Sequence, residues 1–203
     1  LMVFYPSISK KVPRKKLMSI MQVISIVGYV TMLIPGLALG TSMTKFHLIT
    51  VGYMLANFGQ YCFYLIMMIS IMNTVEYNEY KNSSRSEAII TSLRPFFTKM
   101  GGALVVVITW ASYLLFGVMG LTNRISEYEN EAARSLITEA QKLSAIDGVL
   151  SNVQRSQTTG LLLCITIVPL AFMLAAYFLY RRHYKLDEAA YDKICYELAT
   201  RKG

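Results

Sequence analysis

Residues 46–72 read FHLITVGYMLANFGQYCFYLIMMISIM and contain no Asp, Glu, Lys or Arg. A helix needs roughly 20 residues to cross about 30 Å of hydrocarbon, and this run exceeds that. Three more runs share the property: 17–39, 100–121 and 160–180. They explain why only 16% of the chain is charged, against about 25% in a soluble domain. A soluble globular enzyme, a disordered chain and a secreted disulfide scaffold are excluded. The reading is an all-α membrane protein with four transmembrane helices, at about 17–39, 46–72, 88–121 and 160–180. An outer segment, 122–159, and a polar tail, 181–203, complete it.

The basic residues give the orientation. One side holds fifteen of the twenty Lys and Arg: 10, 11 and 14–16, then 81, 85, 94 and 99, then 181, 182, 185, 193, 201 and 202. The other side holds five: Lys45, Arg124, Arg134, Lys142 and Arg155. The positive-inside rule puts the richer side, and with it both ends of the segment, in the cytoplasm of a multi-pass cell-membrane protein. The net charge of +8 then reports topology, and no nucleic-acid partner is implied. Phe46, Tyr177 and Tyr180 are expected as interfacial rings.

Within the quoted run, Asn57, Gln60, Tyr61 and Tyr64 interrupt the apolar sequence. Asn57, Tyr61 and Tyr64 fall at i, i+4 and i+7 and share a face, with Gln60 beside them. A polar stripe at that depth is expected to avoid lipid. It acts as glue between helices or lines a cavity, where amides and phenols suit a hydroxylated solute. Following it, residues 73–86, NTVEYNEYKNSSRS, read as a short charged connection. The third helix is expected from about Ser86. It carries Arg94 at its inner end and Lys99 deeper, just before Gly101 and Gly102. An ammonium at that position is costly unless it snorkels, is hydrated or is paired. The four charge-free runs offer no carboxylate, so a paired Lys99 needs an acid from elsewhere.

The remaining sequence is read in the same way. The basic run 10–16, KKVPRKK, is a topology signal, or a latch that pairs with acids on a neighbouring helix. Pro35 should kink the first helix or end it early. Residues 131–143 carry apolar positions at helical spacing and predict one short amphipathic helix on the outer surface. The tail predicts another, with Leu186, Ala190, Ile194 and Leu198 on one face. Cys62, Cys164 and Cys195 form neither a CxxC pair nor an even set and read as buried thiols. The chain has no phosphate loop, dinucleotide fingerprint, HExxH or GxSxG motif. No catalytic residue, metal ligand or cofactor is therefore assigned, and the chemistry left is binding and moving a polar solute. The apolar start at 1–8 reads as the end of a preceding helix, so an upstream part is expected.

The stretch 74–103, TVEYNEYKNSSRSEAIITSLRPFFTKMGGA, resembles the signature of the glycoside–pentoside–hexuronide:cation symporters, a melibiose permease-like branch of the major facilitator superfamily. Val75, Glu76, Tyr77, Glu79, Lys81, Arg85 and Glu87 carry the resemblance, followed by Phe97, Lys99, Gly101 and Ala103. The tail YKLDEAAYDKICYELATR is similar to that family's ending. Asn78 replaces a usual Gly, Ser83-Ser84 a Thr-Gly turn, and Ala88 another Gly. The outer segment before the fourth span is longer than is typical.

The resemblance implies that the four spans are helices nine to twelve of a twelve-helix sugar:cation symporter working by alternating access. Lys99, Asn57, Gln60, Tyr61 and Tyr64 would face the substrate and cation cavity. Glu76, Tyr77, Glu79, Lys81, Arg85 and Glu87 would form a cytoplasmic gate. The implied partners are a sugar or glycoside, the bilayer and the missing N-terminal half. That half would hold most ligands of the coupling ion, Na+ or H+. A non-transporting scaffold or partner-binding subunit, or a lipid or drug carrier of the same superfamily, are the alternatives.

Overall fold

The structure is a computed structural model and describes residues 12–40, 42–84 and 87–202. The described residues form seven α-helices: α1 (Arg14–Ala38), α2 (Met43–Asn82), α3 (Glu87–Leu115), α4 (Met119–Ala133), α5 (Glu139–Ser151), α6 (Arg155–His183) and α7 (Glu188–Lys202). Helices α1, α2, α3 and α6 are long and apolar enough to cross a membrane. They match the four charge-free runs, so the all-α reading holds. The start at 1–8, Lys10, Lys11, Arg85 and Ser86 lie outside the described residues.

The chain divides into two compact units, residues 1–100 with 166–203 and residues 101–165. In the first, α1 and α2 form an antiparallel pair whose contact is made by small residues. Ser25 and Gly28 on α1 meet Gly52, Ala56 and Gly59 on α2. A Cβ on Gly28 would come within 2.7 Å of the Gly52 carbonyl oxygen, and one on Gly59 within 2.6 Å of the Met21 carbonyl oxygen. The backbones therefore approach as closely as glycine permits, which is how helices associate where lipid removes the hydrophobic drive between them. Ser25 Oγ donates to the Ala56 carbonyl at 3.2 Å.

Larger side chains continue this seam toward both of its ends. Leu17 and Met18 pack with Phe63 and Ile66, and Met173 and Tyr180 of α6 close the cluster. Tyr29, Met32 and Ala56 form a second cluster, with Leu170 of α6 against it. Tyr180 is thus core and not an interfacial ring as its position suggested: it is buried, stacked on Tyr184 at 4.6 Å, and its hydroxyl meets Ser70 Oγ at 2.9 Å. Phe46 is exposed. The tail packs through the expected stripe, Leu186 just before α7 and Ala190, Ile194 and Leu198 on it, against Tyr80 and Tyr184. Helix α1 ends one turn beyond Pro35, whose carbonyl accepts the Leu39 N–H.

Two expectations about connections are corrected. The stretch from Asn73 is not a loop: α2 continues through Asn82, 40 residues in all. The charges at 76, 79 and 81 end the hydropathy signal but not the backbone ladder, because Glu and Lys are good helix formers. The turn itself is short. Ser83 adopts the left-handed conformation (φ 52°) and Asn78 Nδ2 donates to the Ser84 carbonyl, so an asparagine side chain braces this turn.

In the second unit, α3 stops at Leu115, short of 121. Gly117 takes a positive φ of 65°, and Phe116 lies against Gly160 where a Cβ would clash with the ring. The single outer helix at 131–143 is replaced by two. Ser135 (φ 58°) ends α4, and Thr138 restarts the chain with a capping box. Its hydroxyl accepts from Gln141 N, while Gln141 Oε1 accepts from Thr138 N at 2.9 Å. Lys142 bridges the pair, at 2.7 Å from Glu139 and 3.4 Å from Glu129. The hydrogen bond to Glu139, and that to Glu129, raise its pKa against the burial that lowers it.

Candidate functional site

Helix α2 has two faces of opposite character. Its small residues bury themselves on α1. At 100° per residue the polar stripe falls on the other side. Tyr61 is 64% exposed and Tyr64 44%, Gln60 is exposed and Asn57 partly so. Tyr53 extends the stripe by one turn and is also exposed. The Asn57 amide donates back to the Tyr53 carbonyl at 2.9 Å, which fixes its direction along the helix. The stripe is therefore turned away from the glycine seam with α1, and its phenols and amides present donors and acceptors together on one surface.

A second polar cluster joins the beginning of α1, the end of α2 and the tail. Arg14, at the first position of α1, is buried. Its backbone N–H and its Nε both donate to Glu188 Oε1, the latter at 3.2 Å. With its amide oxygen toward Arg14, Asn73 accepts from both terminal guanidinium nitrogens, and its nitrogen donates to the Ile69 carbonyl at 3.1 Å. The guanidinium also lies 5.7 Å from the centre of the Tyr191 ring. Burial pushes the Glu188 carboxyl up, but the hydrogen bonds from Arg14 and from its own N–H outweigh that and hold it below the ordinary value. Tyr191 is pushed up to about 12 by burial, a hydrogen bond with Cys195 and the charge of Glu76.

Of the residues expected in a gate, Glu76 joins this cluster and has one buried carboxylate oxygen with no hydrogen-bond partner among the described residues. Tyr77 and Lys81 are exposed on the last turns of α2, Glu79 is half-buried there, and Glu87 opens α3. Arg85 lies outside the described residues. Lys99 is exposed on α3, flanked by exposed Phe96, Phe97 and Met100. The structure thus groups Asn57, Gln60, Tyr61 and Tyr64 on one helix face. It does not bring Lys99 against them within this chain.

Sequence reading did not single out Glu188, Tyr191 or Asn73. No local signal could have found the Arg14–Glu188 pair, which joins residues 174 apart. It did identify the basic run containing Arg14 as a possible latch, and the acid it meets is on the tail helix. Gln22 was also missed. It is 3% exposed on the packed face of α1, and neither amide atom has a partner among the described residues.

The sequence pattern of the family described as MFS/sugar transport protein matches residues 1–188. The chain belongs to that family. Together with four apolar spanning helices, membership makes this sugar transport family member a multi-pass membrane protein. It is 29% identical over 57% of its length to a lactose permease of Leuconostoc lactis. It is 28% identical over 68% of its length to a raffinose carrier protein of Pediococcus pentosaceus, and 28% over 59% to a lactose permease of Lactobacillus delbrueckii subsp. bulgaricus. These alignments cover 17%, 19% and 17% of the respective relatives, so the family member spans less than a fifth of their length. No solved structure matches the chain to a significant degree.

Proposed function

We propose that this chain is part of a secondary active transporter that carries a sugar or glycoside together with a cation by alternating access. The observation that supports it best is the segregation of α2. One face is committed to α1 by glycine packing, and the opposite face carries Asn57, Gln60, Tyr61 and Tyr64. A polar stripe of that kind is costly in lipid and suited to a water-filled cavity. Phenols and amides bind hydroxylated solutes through hydrogen bonds without needing a charge on the ligand. The curated relatives named for lactose and raffinose support a glycoside as the substrate class.

In this reading Lys99 is the cavity's cation, paired in the whole carrier with a carboxylate from the N-terminal half. Na+ or H+ binding at such carboxylates lowers their free energy, sugar binding then stabilises the occluded form, and the halves rock about the site. Glu76, Tyr77, Glu79, Lys81, Arg85 and Glu87 form the gate on the basic, cytoplasmic side of the cell membrane. No cofactor takes part. The test is uptake by the whole carrier in proteoliposomes, with lactose and raffinose as trial substrates and an imposed Na+ or H+ gradient. Gradient-driven accumulation that is lost in Tyr61→Ala supports the assignment. Accumulation unaffected by Tyr61→Ala, Gln60→Ala and Lys99→Ala overturns it. Binding of detergent-like amphiphiles in preference to glycosides favours a lipid or drug carrier.

A further inference from the structure

Helix α1 begins without a cap of its own. Its N-cap residue is Pro13, which has no side-chain acceptor, and the first N–H groups of a helix have no partner within it. The acceptor comes from the far end of the chain. Glu188 Oε1 takes the Arg14 backbone N–H and Nε together. A carboxylate there also meets the positive end of the helix dipole. The other nitrogens of the same guanidinium hold Asn73 of α2. At the opposite end of α7, Arg201 donates to the Tyr80 carbonyl at 3.3 Å and lies 4.9 Å from the centre of its ring. Ile194 and Leu198 pack between these two attachments, with Leu186 just ahead of the first. The tail helix is therefore fastened at both ends across the start of α1 and the end of α2.

We infer that α7 is a strap: by supplying the missing cap of α1 through Glu188, it holds the adjoining ends of α1 and α2 at a fixed spacing, and its release lets them move. The fastening is built to open. The Glu188 side chain is 38% exposed and half of the described α7 side chains face solvent, so the helix is held by a few contacts, at Glu188, at Arg201 and through the Leu186, Ile194 and Leu198 cluster, and not by full burial. Neither Arg14 nor Glu188 belongs to the α2 stripe. Resting on the transport reading above, the strap sets how fast the carrier changes conformation and leaves sugar affinity alone.

The experiment is hydrogen–deuterium exchange on the whole carrier in nanodiscs, unsubstituted and as Glu188→Ala, with sugar binding and initial uptake rate measured on the same preparations. In Glu188→Ala, exchange across α7 and the first turn of α1 should rise at least tenfold. Protection around Gly52–Gly59 should stay unchanged, which shows that the fold is intact. Sugar affinity should stay within about twofold while the uptake rate changes at least threefold. Glu188→Gln, which keeps an acceptor oxygen but loses the charge, should fall between. Protection of α7 equal to that of the unsubstituted carrier overturns the strap, and so does a released α7 with an unchanged uptake rate. An unsubstituted carrier that neither binds nor takes up sugar overturns the transport reading instead, and exchange in α7 and α1 then decides the docking alone.

Discussion

Helices α1 and α3 are both long enough to span a bilayer, yet they are used differently. Helix α1 buries a full stripe, from Arg14 through Leu17, Met18, Gln22, Ser25, Gly28, Tyr29 and Met32. Helix α3 buries only Ser112. Its glycines make the same point. A Cβ on Gly28 would collide with the backbone of α2, whereas one on Gly101 or Gly102 would meet nothing within 4 Å. Lys99, the charge closest to an apolar core, stands on the uncovered helix. Within one chain, then, the residues that build the α1–α2 seam and those proposed to line the cavity lie on different helices, or on different faces of α2.

That contrast can be broken most directly at the glycines. Gly28→Leu should abolish the folded carrier, since the obstructing atoms are backbone and cannot yield; overpacking typically costs 1–3 kcal/mol, roughly, and more where nothing can move. Gly101→Ala and Gly102→Ala should leave the melting temperature unchanged. Fluorescence-detected size exclusion after heating measures both, and equal effects at the two sites would erase the distinction. Lys99→Ala should lower gradient-driven sugar accumulation about tenfold or more, corresponding to about 1.4 kcal/mol, with membrane insertion intact. Unchanged accumulation would leave α3 a purely lipid-facing helix.

The smaller effects sharpen the picture at its edges. Thr138→Ala removes the cap of α5 and should destabilise it by about 1 kcal/mol, seen as faster amide exchange at Glu139–Lys142 with α1 and α2 unaffected. The pH dependence of the tail should be weaker still. The folded pKa of Glu188 is depressed by Arg14, so its contribution is complete above the ordinary carboxylate value of about 4.3 and is lost as pH falls through the lower folded value. Docking of α7 should be constant from about pH 6 to 8 and loosen below about 4. Because the group is partly exposed, the change should not exceed about 1 kcal/mol. Glu188→Gln should remove the acid-induced loosening, and an identical acid response in that variant would assign it to other carboxylates.

Hydropathy made the four spans legible, because lipid imposes one requirement on every residue of a run. It located Asn57, Gln60, Tyr61 and Tyr64 on one face for the same reason. It failed where a helix leaves lipid. Charge marks the end of the bilayer, not the end of hydrogen bonding, so Asn73–Asn82 looked like a connection and is helix. The break at Ser135 had a visible cause, the Thr138–Gln141 pair at capping-box spacing, which the periodicity of 131–143 concealed. The Arg14–Glu188 contact was legible only as a basic run in search of an acid, because pairing over 174 residues is decided by packing and not by local pattern.

The unbroken length of α2 has a mechanical consequence. Forty residues at 1.5 Å each make a rod of about 60 Å, roughly twice the hydrocarbon thickness. Such a rod is a lever: a tilt of about 10° at one tip sweeps the other through about 10 Å. Tyr61 stands near the middle of it, so the same tilt taken about Tyr61 moves Lys81, about 30 Å away along the helix, by about 5 Å, and carries Tyr77 and Glu79 with it.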